Sequence, residues 1–335
     1  MTRRTNRITH GGEAQRLGLL VIPTEDLLVE RCSAGDETVY TLGGRPVPEG
    51  RISELNSFPV PPAWTDVRMA LDPAAHIQVI GNDAKGRRQY IYHDRWTDVR
   101  EAVKAARLKR FGKALPRIRD AISEDITKPL SDDRGLAATA LRLVDRQWVR
   151  AGHEQYAANG TAGTATLLNK HVDESDGELT LDFTAKSGKE AKVRLRDPAL
   201  KRRLRALKKR GGKRLFQPRR NAAPLNATQL NAYLSDIAEA DVSLKDFRTF
   251  GGSALALEQL CKTADKPTRK HAVAAVKQVA EKLRNTPTVA RNSYVHSPLL
   301  DVYLDGKLDP GLTSGRRRNN LDAGETGLMR FLEGR

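Results

Sequence analysis

Cysteine is nearly absent from this 335-residue chain: Cys32 and Cys261 are its two thiols, far apart in sequence. That argues against a disulfide framework and against a cysteine-built zinc site. Histidine is sparse as well, seven residues scattered without an HExxH pair, so the common zinc-hydrolase arrangement has no basis here. No cluster of Asp and Glu resembles the carboxylate set of a two-metal nuclease or polymerase. No GxxxxGK followed by Ser or Thr occurs. The nearest string, Ser187-Gly188-Lys189-Glu190, lacks both the phosphate loop and the hydroxyl, which leaves ATP-driven chemistry unsupported. Long apolar runs are missing too, and nothing approaches the roughly 18 residues of a membrane-spanning helix. The basic opening, Met1 to Gly12, has no apolar stretch of the kind a secretory signal needs, so the expected location is the cytoplasm.

What the chain has in excess is positive charge. Lys and Arg number 58 against 41 Asp and Glu, a net +17, and a basic protein of this size is expected to bind a polyanion, nucleic acid foremost. Each phosphate neutralised should steepen the salt dependence of log K by about 0.9. The length suggests two or three domains with room for a real core.

The patterning divides the chain. Residues 1–25 read as a flexible basic lead. From 26 to 93 the periodicity is that of strands: Thr38–Leu42 ends at Gly43-Gly44, and His76–Ile80 and Arg88–Tyr92 flank the turn-rich Gly81–Gly86, a hairpin signature. On the second of these strands Tyr90 and Tyr92 share one face and Ile91 takes the other. From 94 to 335 the pattern is mainly helical, opening with Asp94 as an N-cap and with Trp96, Val99, Val103 and Ala106 on one stripe. Within this helical region Leu179–Phe183 and Ala191–Leu195 alternate about a second turn, a hairpin with Lys186 at or near its tip. The expected fold class is therefore α+β: a small, mainly-β N-terminal domain, and a larger, mainly-α domain interrupted by a β-hairpin. After that hairpin, Lys201–Arg214 is densely basic, and reads as either a solvated helix face or a face turned to phosphate.

Phosphodiester cleavage without a metal needs a definite set of side chains. Fixed cations must offset the charge that builds on the phosphoryl oxygens, and the planar fork of Arg suits two of them at once. A hydroxyl or phenol must attack phosphorus, and an acid such as Lys must protonate the leaving oxygen. Any one such residue is ordinarily a surface charge or a packing aromatic; order, spacing and local context together carry the weight.

Those contexts are present. Arg150-Ala151-Gly152-His153-Glu154-Gln155-Tyr156, followed by Asn159-Gly160, resembles the RxGxExY…NG segment of type IB DNA topoisomerases of the poxvirus and bacterial branch. Leu167–Val172 is similar to that family's stretch before its β-hairpin, and Phe183-Thr184-Ala185-Lys186-Ser187-Gly188-Lys189 to its FxGKSGK hairpin. Lys245-Asp246-Phe247-Arg248-Thr249-Phe250 resembles KDFRTW, and Asn285-Thr286-Pro287 through Ser293-Tyr294-Val295-His296 resembles NTPxxxxxSYxH. Pro61–Val67 and Gly86–His93 look like parts of its N-terminal domain. The likeness covers roughly residues 45–305.

The resemblance implies single-strand cleavage and resealing without metal, ATP or any other cofactor. Tyr294 would be the nucleophile, leaving a 3′-phosphotyrosyl link. Arg150 and Arg248 would hold the non-bridging oxygens, Lys186 would be the acid for the 5′ oxygen, and Asn285 would donate to a non-bridging oxygen. Many relatives carry His at that last place; Asn still donates but has no proton to give, so an acid role there is ruled out. Phe250 stands for a common Trp, and Ala185 for a common Gly. The implied partner is double-stranded DNA, gripped by a basic clamp of a monomer, with Gln89, Tyr90, Tyr92 and Tyr156 as expected contacts. A tyrosine recombinase or integrase is the nearest alternative, but such enzymes usually show HxxR where this chain has Lys245-x-x-Arg248. A non-enzymatic architectural DNA-binding protein would explain the charge but not the ordered motifs.

Overall fold

The structure is a computed structural model that describes residues 8–34, 37–175, 177–219 and 221–334, the side chains of residues 33, 34, 156 and 187 excepted. It divides into two compact units, Ile8–Lys104 and Ala105–Arg335.

The first unit holds α1 (His10–Arg16), β1 (Val29–Ala34), β2 (Glu37–Leu42), β3 (Arg45–Pro46), α2 (Glu49–Ser57), β4 (Thr65–Met69), β5 (Ile77–Asn82) and β6 (Arg88–Tyr92). Its strands form an antiparallel sheet in the order β3-β2-β1-β4-β5-β6. The alternation that predicts strands also sorts their faces: Val29, Tyr40, Val67, Met69 and Val79 meet Leu55 of α2 in one core. At β5 the sheet passes so close to Trp64 that a Cβ on Gly81 would lie 2.7 Å from the indole, which only glycine permits.

Residues 8–25 correct the expectation of a flexible lead. Thr9 caps α1 through a bond from the Gly12 N–H, Leu20 bridges to Ala75, and Ala14 and Leu19 are buried with Trp96, Val99 and Val103. The segment carries a single arginine, Arg16, and its apolar residues Ile8, Ala14, Leu17, Leu19 and Ile22 are enough to dock it. The same contacts move the boundary from residue 93 into helix α3 (Trp96–Asp125), whose first turns belong to this unit.

The second unit continues with α4 (Asp133–Gln147), α5 (Glu154–Ala157), β7 (Val172–Ser175), β8 (Glu178–Ala185), β9 (Lys189–Arg194), α6 (Pro198–Arg210), α7 (Ala227–Ala238), α8 (Leu244–Cys261), α9 (Arg269–Leu283), α10 (Pro287–Tyr294), α11 (Ser297–Leu304) and α12 (Ala323–Glu333). Helix α8 runs through its middle and is buried along most of its length, the polar Asp246, Arg248, Thr249 and Ser253 included. Phe111 of α3 packs edge-on to Phe247 at 4.9 Å and against Phe250 at 5.5 Å. Strands β7, β8 and β9 form a three-stranded antiparallel sheet, and the β8–β9 register closes at Ala185↔Lys189. The fold is thus mixed α+β with antiparallel sheets. Among the described residues no helix is long and apolar enough to cross a membrane.

A buried ion-pair node ties the helices together. The guanidinium of Arg119 on α3 donates to Asp145 on α4 at 2.9 Å and to Glu325 on α12 at 2.7 Å, all three side chains being largely buried. Removing one member of such a node strands the others' charge out of water. Arg119→Met is expected to destabilise this unit by about 3–5 kcal/mol in chemical denaturation; a loss below about 1 kcal/mol would show that water reaches the two carboxylates.

Candidate active site

Four elements of the second unit bring chemistry-bearing side chains to one cleft of about 410 Å³, lined by Arg150, Lys186, Lys245, Arg248 and Tyr294 together with Gly152, His153, Thr161 and Thr166. Each has its own local reason for being there.

Arg150 follows the end of α4, which stops where Trp148 takes a left-handed conformation, φ 52°. Its backbone is then fixed by a crossing of two chain segments. The Arg150 carbonyl accepts from the Thr164 N–H and the Ala151 carbonyl from the Ala165 N–H, both at 2.7 Å. Gly152 and Gly163 meet back to back at this crossing. A Cβ on Gly163 would lie 2.7 Å from the Arg150 carbonyl oxygen, and one on Gly152, at φ 80°, 2.6 Å from Thr166 Oγ1. Neither position has room for a side chain.

Lys186 begins the turn between β8 and β9, exposed at the cleft's margin. Arg248 lies on α8 and is 3% exposed. Its guanidinium donates to the carbonyl of Trp148 and, at 3.1 Å, to that of Leu283, the last residue of α9. Its Nε is buried with no hydrogen-bond partner among the described residues. Tyr294 ends α10, whose start is set by Pro287 and by Thr286, the side chain of which accepts from the Val289 N–H. The phenol ring lies under Arg248, 4.8 Å from guanidinium carbon to ring centre. Asn285 does not line the cleft itself: it stands beside Arg150, which donates to its Oδ1. That bond commits the amide's oxygen and leaves Nδ2 buried without a partner among the described residues, a donor in want of an acceptor.

The electrostatics favour an anion. Burial lowers the Arg248 pKa to about 10, helped by Arg150 and Arg284, yet the group stays charged at neutral pH. Burial alone would raise the Tyr294 pKa, but Arg248, Arg150 and Lys245 outweigh it and hold the phenol below its ordinary value. A cleft with fixed cations and a phenol held below its ordinary pKa suits an anionic group.

The other expected contacts fall elsewhere. Tyr90 and Tyr92 belong to the first unit, on β6, about two-fifths exposed, with their rings stacked at 6.0 Å. Gln89 is tied down, its amide donating to Asp83 at 2.9 Å. The side chain of Tyr156 lies outside the described residues. The basic run after β9 forms an amphipathic helix that buries Leu200, Leu204 and Leu207 and leaves Arg202, Lys208, Lys209 and Arg210 on an exposed face. Some of its basic groups also make internal contacts: Arg203 donates to the Lys128 and Gly135 carbonyls, Lys208 to the Val172 carbonyl, and Arg205 pairs with Glu174.

Sequence reasoning left several contributors without a role. Lys245 sits inside a quoted motif, and its place three residues before Arg248, one helical turn, was the available signal. Ser253 gave none: it is fully buried, accepts from the His296 N–H and donates to the Tyr294 carbonyl, both at 3.0 Å, and so fixes the backbone on both sides of the phenol. Gly251 makes room for the Trp148 indole and Gly252 for the Tyr294 backbone.

Comparison with known proteins identifies the family. The family described as eukaryotic DNA topoisomerase I, catalytic core, matches residues 94–301, and the bacterial DNA topoisomerase IB N-terminal domain matches residues 41–83. The chain is 32% identical to DNA topoisomerase 1B of Acanthamoeba polyphaga mimivirus over 292 residues, which is 82% of this chain and 87% of that protein. It is 25% identical to DNA topoisomerase I of Monkeypox virus and to DNA topoisomerase 1B of Vaccinia virus (strain Copenhagen), in each case over 240 residues, 68% of this chain and 72% of the relative. With those matches added to a cleft that gathers two arginines, two lysines and a phenol, the chain belongs to the type IB DNA topoisomerase family.

Proposed function

We propose that this topoisomerase relaxes supercoiled DNA by cutting and resealing one strand through Tyr294, with side-chain cations and neither metal nor ATP supplying the catalysis. The observation that carries the reading is the convergence of Arg150, Lys186, Arg248 and Tyr294 on a single cleft. The Tyr294 phenolic oxygen bonds to phosphorus as the bond from phosphorus to the 5′ oxygen breaks. The phenol gives its proton to water, and the 5′ oxygen takes one from Lys186. Arg150 and Arg248 hold the non-bridging oxygens, whose charge grows on the way to the transition state. The Asn285 Nδ2, oriented by Arg150, donates to one of them.

The phosphotyrosyl bond conserves the energy of the bond it replaces, so attack by the 5′ hydroxyl reseals the strand with no input of energy. Between the two steps the free end swivels and torsion is released. Holding the other end requires a firm grip on the duplex. The net charge of +17 supports a grip on DNA; in this proposal a monomer clamps the duplex, with Tyr90, Tyr92 and Gln89 of the first unit and Tyr156 of the second as DNA contacts. This reading places the protein on the chromosome, in the cytoplasm.

Three measurements test it. Tyr294→Phe, which loses only the phenolic oxygen, should bind DNA normally and form no covalent adduct on a denaturing gel; an adduct with this variant would assign the nucleophile to another residue. Plasmid relaxation should continue in EDTA without ATP, and complete loss restored by Mg²⁺ would reject the metal-free scheme. Lys186→Ala should cleave about 10²–10⁴-fold more slowly. A substrate with a 5′-bridging sulfur, whose leaving group needs no acid, should restore the rate, and failure to do so would remove Lys186 from that role.

A further inference from the structure

Arg284 sits where several costs coincide. It follows the last residue of α9 in the left-handed conformation, φ 55° and ψ 47°, a position that helices ordinarily give to glycine or asparagine. It is half-buried, and burial and the neighbouring Arg150 pull its pKa down. Its charge also opposes that of Arg248. A residue disfavoured by backbone, solvation and neighbours together points to a task at that place.

The task is visible in its bonding. Arg284 Nη1 donates to the carbonyl of Gln147, the last residue of α4, at 3.1 Å. Three residues after Gln147 comes Arg150, and the residue after Arg284 is Asn285, which accepts from Arg150. The segments 147–150 and 284–285 are therefore joined twice, once by Arg284 and once by the Arg150–Asn285 pair itself.

We propose that Arg284 is a positioning residue for strand transfer: it pins the backbone leading into Asn285 to the end of α4, so that the Asn285 amide and the Arg150 guanidinium face the phosphate as one unit. The inference rests on the reading of the cleft given above, and it assigns Arg284 no contact with DNA. Removing the anchor leaves the pair intact in composition but free to shift, and a displacement of about 1 Å at such a site costs about a hundredfold in rate.

Single-turnover cleavage, DNA affinity and thermal unfolding of Arg284→Gly, Arg284→Lys and Asn285→Ala test this. Glycine suits the left-handed position, so Arg284→Gly should unfold at the same temperature as the parent or higher and bind DNA as tightly, while cleaving about ten- to a hundredfold more slowly. Arg284→Lys should recover part of the rate, because an ammonium still donates to a carbonyl. Because Arg284 acts through Asn285, the double variant Arg284→Gly/Asn285→Ala should be scarcely slower than Asn285→Ala alone. Should Arg284→Gly prove insoluble, Arg284→Gln repeats the comparison. Parental cleavage by Arg284→Gly, or losses that simply multiply in the double variant, would overturn the inference while leaving the cleft's function standing. A parent enzyme that forms no covalent adduct would instead overturn the reading of the cleft beneath it.

Discussion

The structure of the cleft depends on how a buried guanidinium is kept charged. Arg248 is almost wholly out of water, and a lone cation there would be expelled or neutralised. Its partners are the carbonyls of Trp148 and Leu283, at the C-terminal ends of α4 and α9. Helix C-termini carry unpaired carbonyls and the negative end of the helix dipole, so two of them converging on one cation offset its desolvation without a carboxylate. That choice matters for the chemistry. A carboxylate would neutralise the arginine and repel a phosphate, whereas neutral carbonyl dipoles hold the cation in place and leave its charge to act on the substrate and on the Tyr294 phenol.

The same two helix ends place the rest of the site. Arg150 emerges just beyond α4 and Asn285 just beyond α9, so the groups that meet an anion sit at the ends of rigid elements rather than in the middle of long loops. Tyr294 approaches from the other side at the end of α10, its backbone fixed by the Ser253 hydroxyl. Only Lys186 comes from a turn between strands, at the exposed margin. The lysine thus sits on an exposed turn, and Arg248 on a buried helix.

Much of this was legible in the sequence. Motif order picked out Arg150, Lys186, Arg248 and Tyr294, which line one cleft, and Asn285 beside it, because each lies in a short string whose neighbours set its local geometry. Strand alternation gave the hairpin of β5 and β6 and that of β8 and β9 for the same reason: both depend on near neighbours. What stayed hidden depends on distant ones. Ser253 and Arg284 act through bonds to residues 41 and 137 positions away, and nothing local marks them. The ordered segment before β1 was missed because the basic first residues drew the reading, although the apolar run Leu17–Ile22 was there to be seen; its packing against Trp96 and Ala75 depends on distant partners. The basic run of α6 was readable only in part: its exposed face follows from composition and period, but only contacts report that Arg203, Arg205 and Lys208 also bond within the fold.

The crossing of Gly152 and Gly163 carries a consequence for how such an enzyme diversifies. The two glycines seal the base of an excursion that contains α5, and the hydrogen bonds from Thr164 and Ala165 lock Arg150 and Ala151 from below. Residues 153–161 therefore hang from a closed ring. Changes within that excursion leave the backbone of Arg150 held by Thr164, yet His153, Gln155 and Thr161 of the same excursion line the cleft, so one loop can vary the lining of the cleft around an arginine whose backbone stays put.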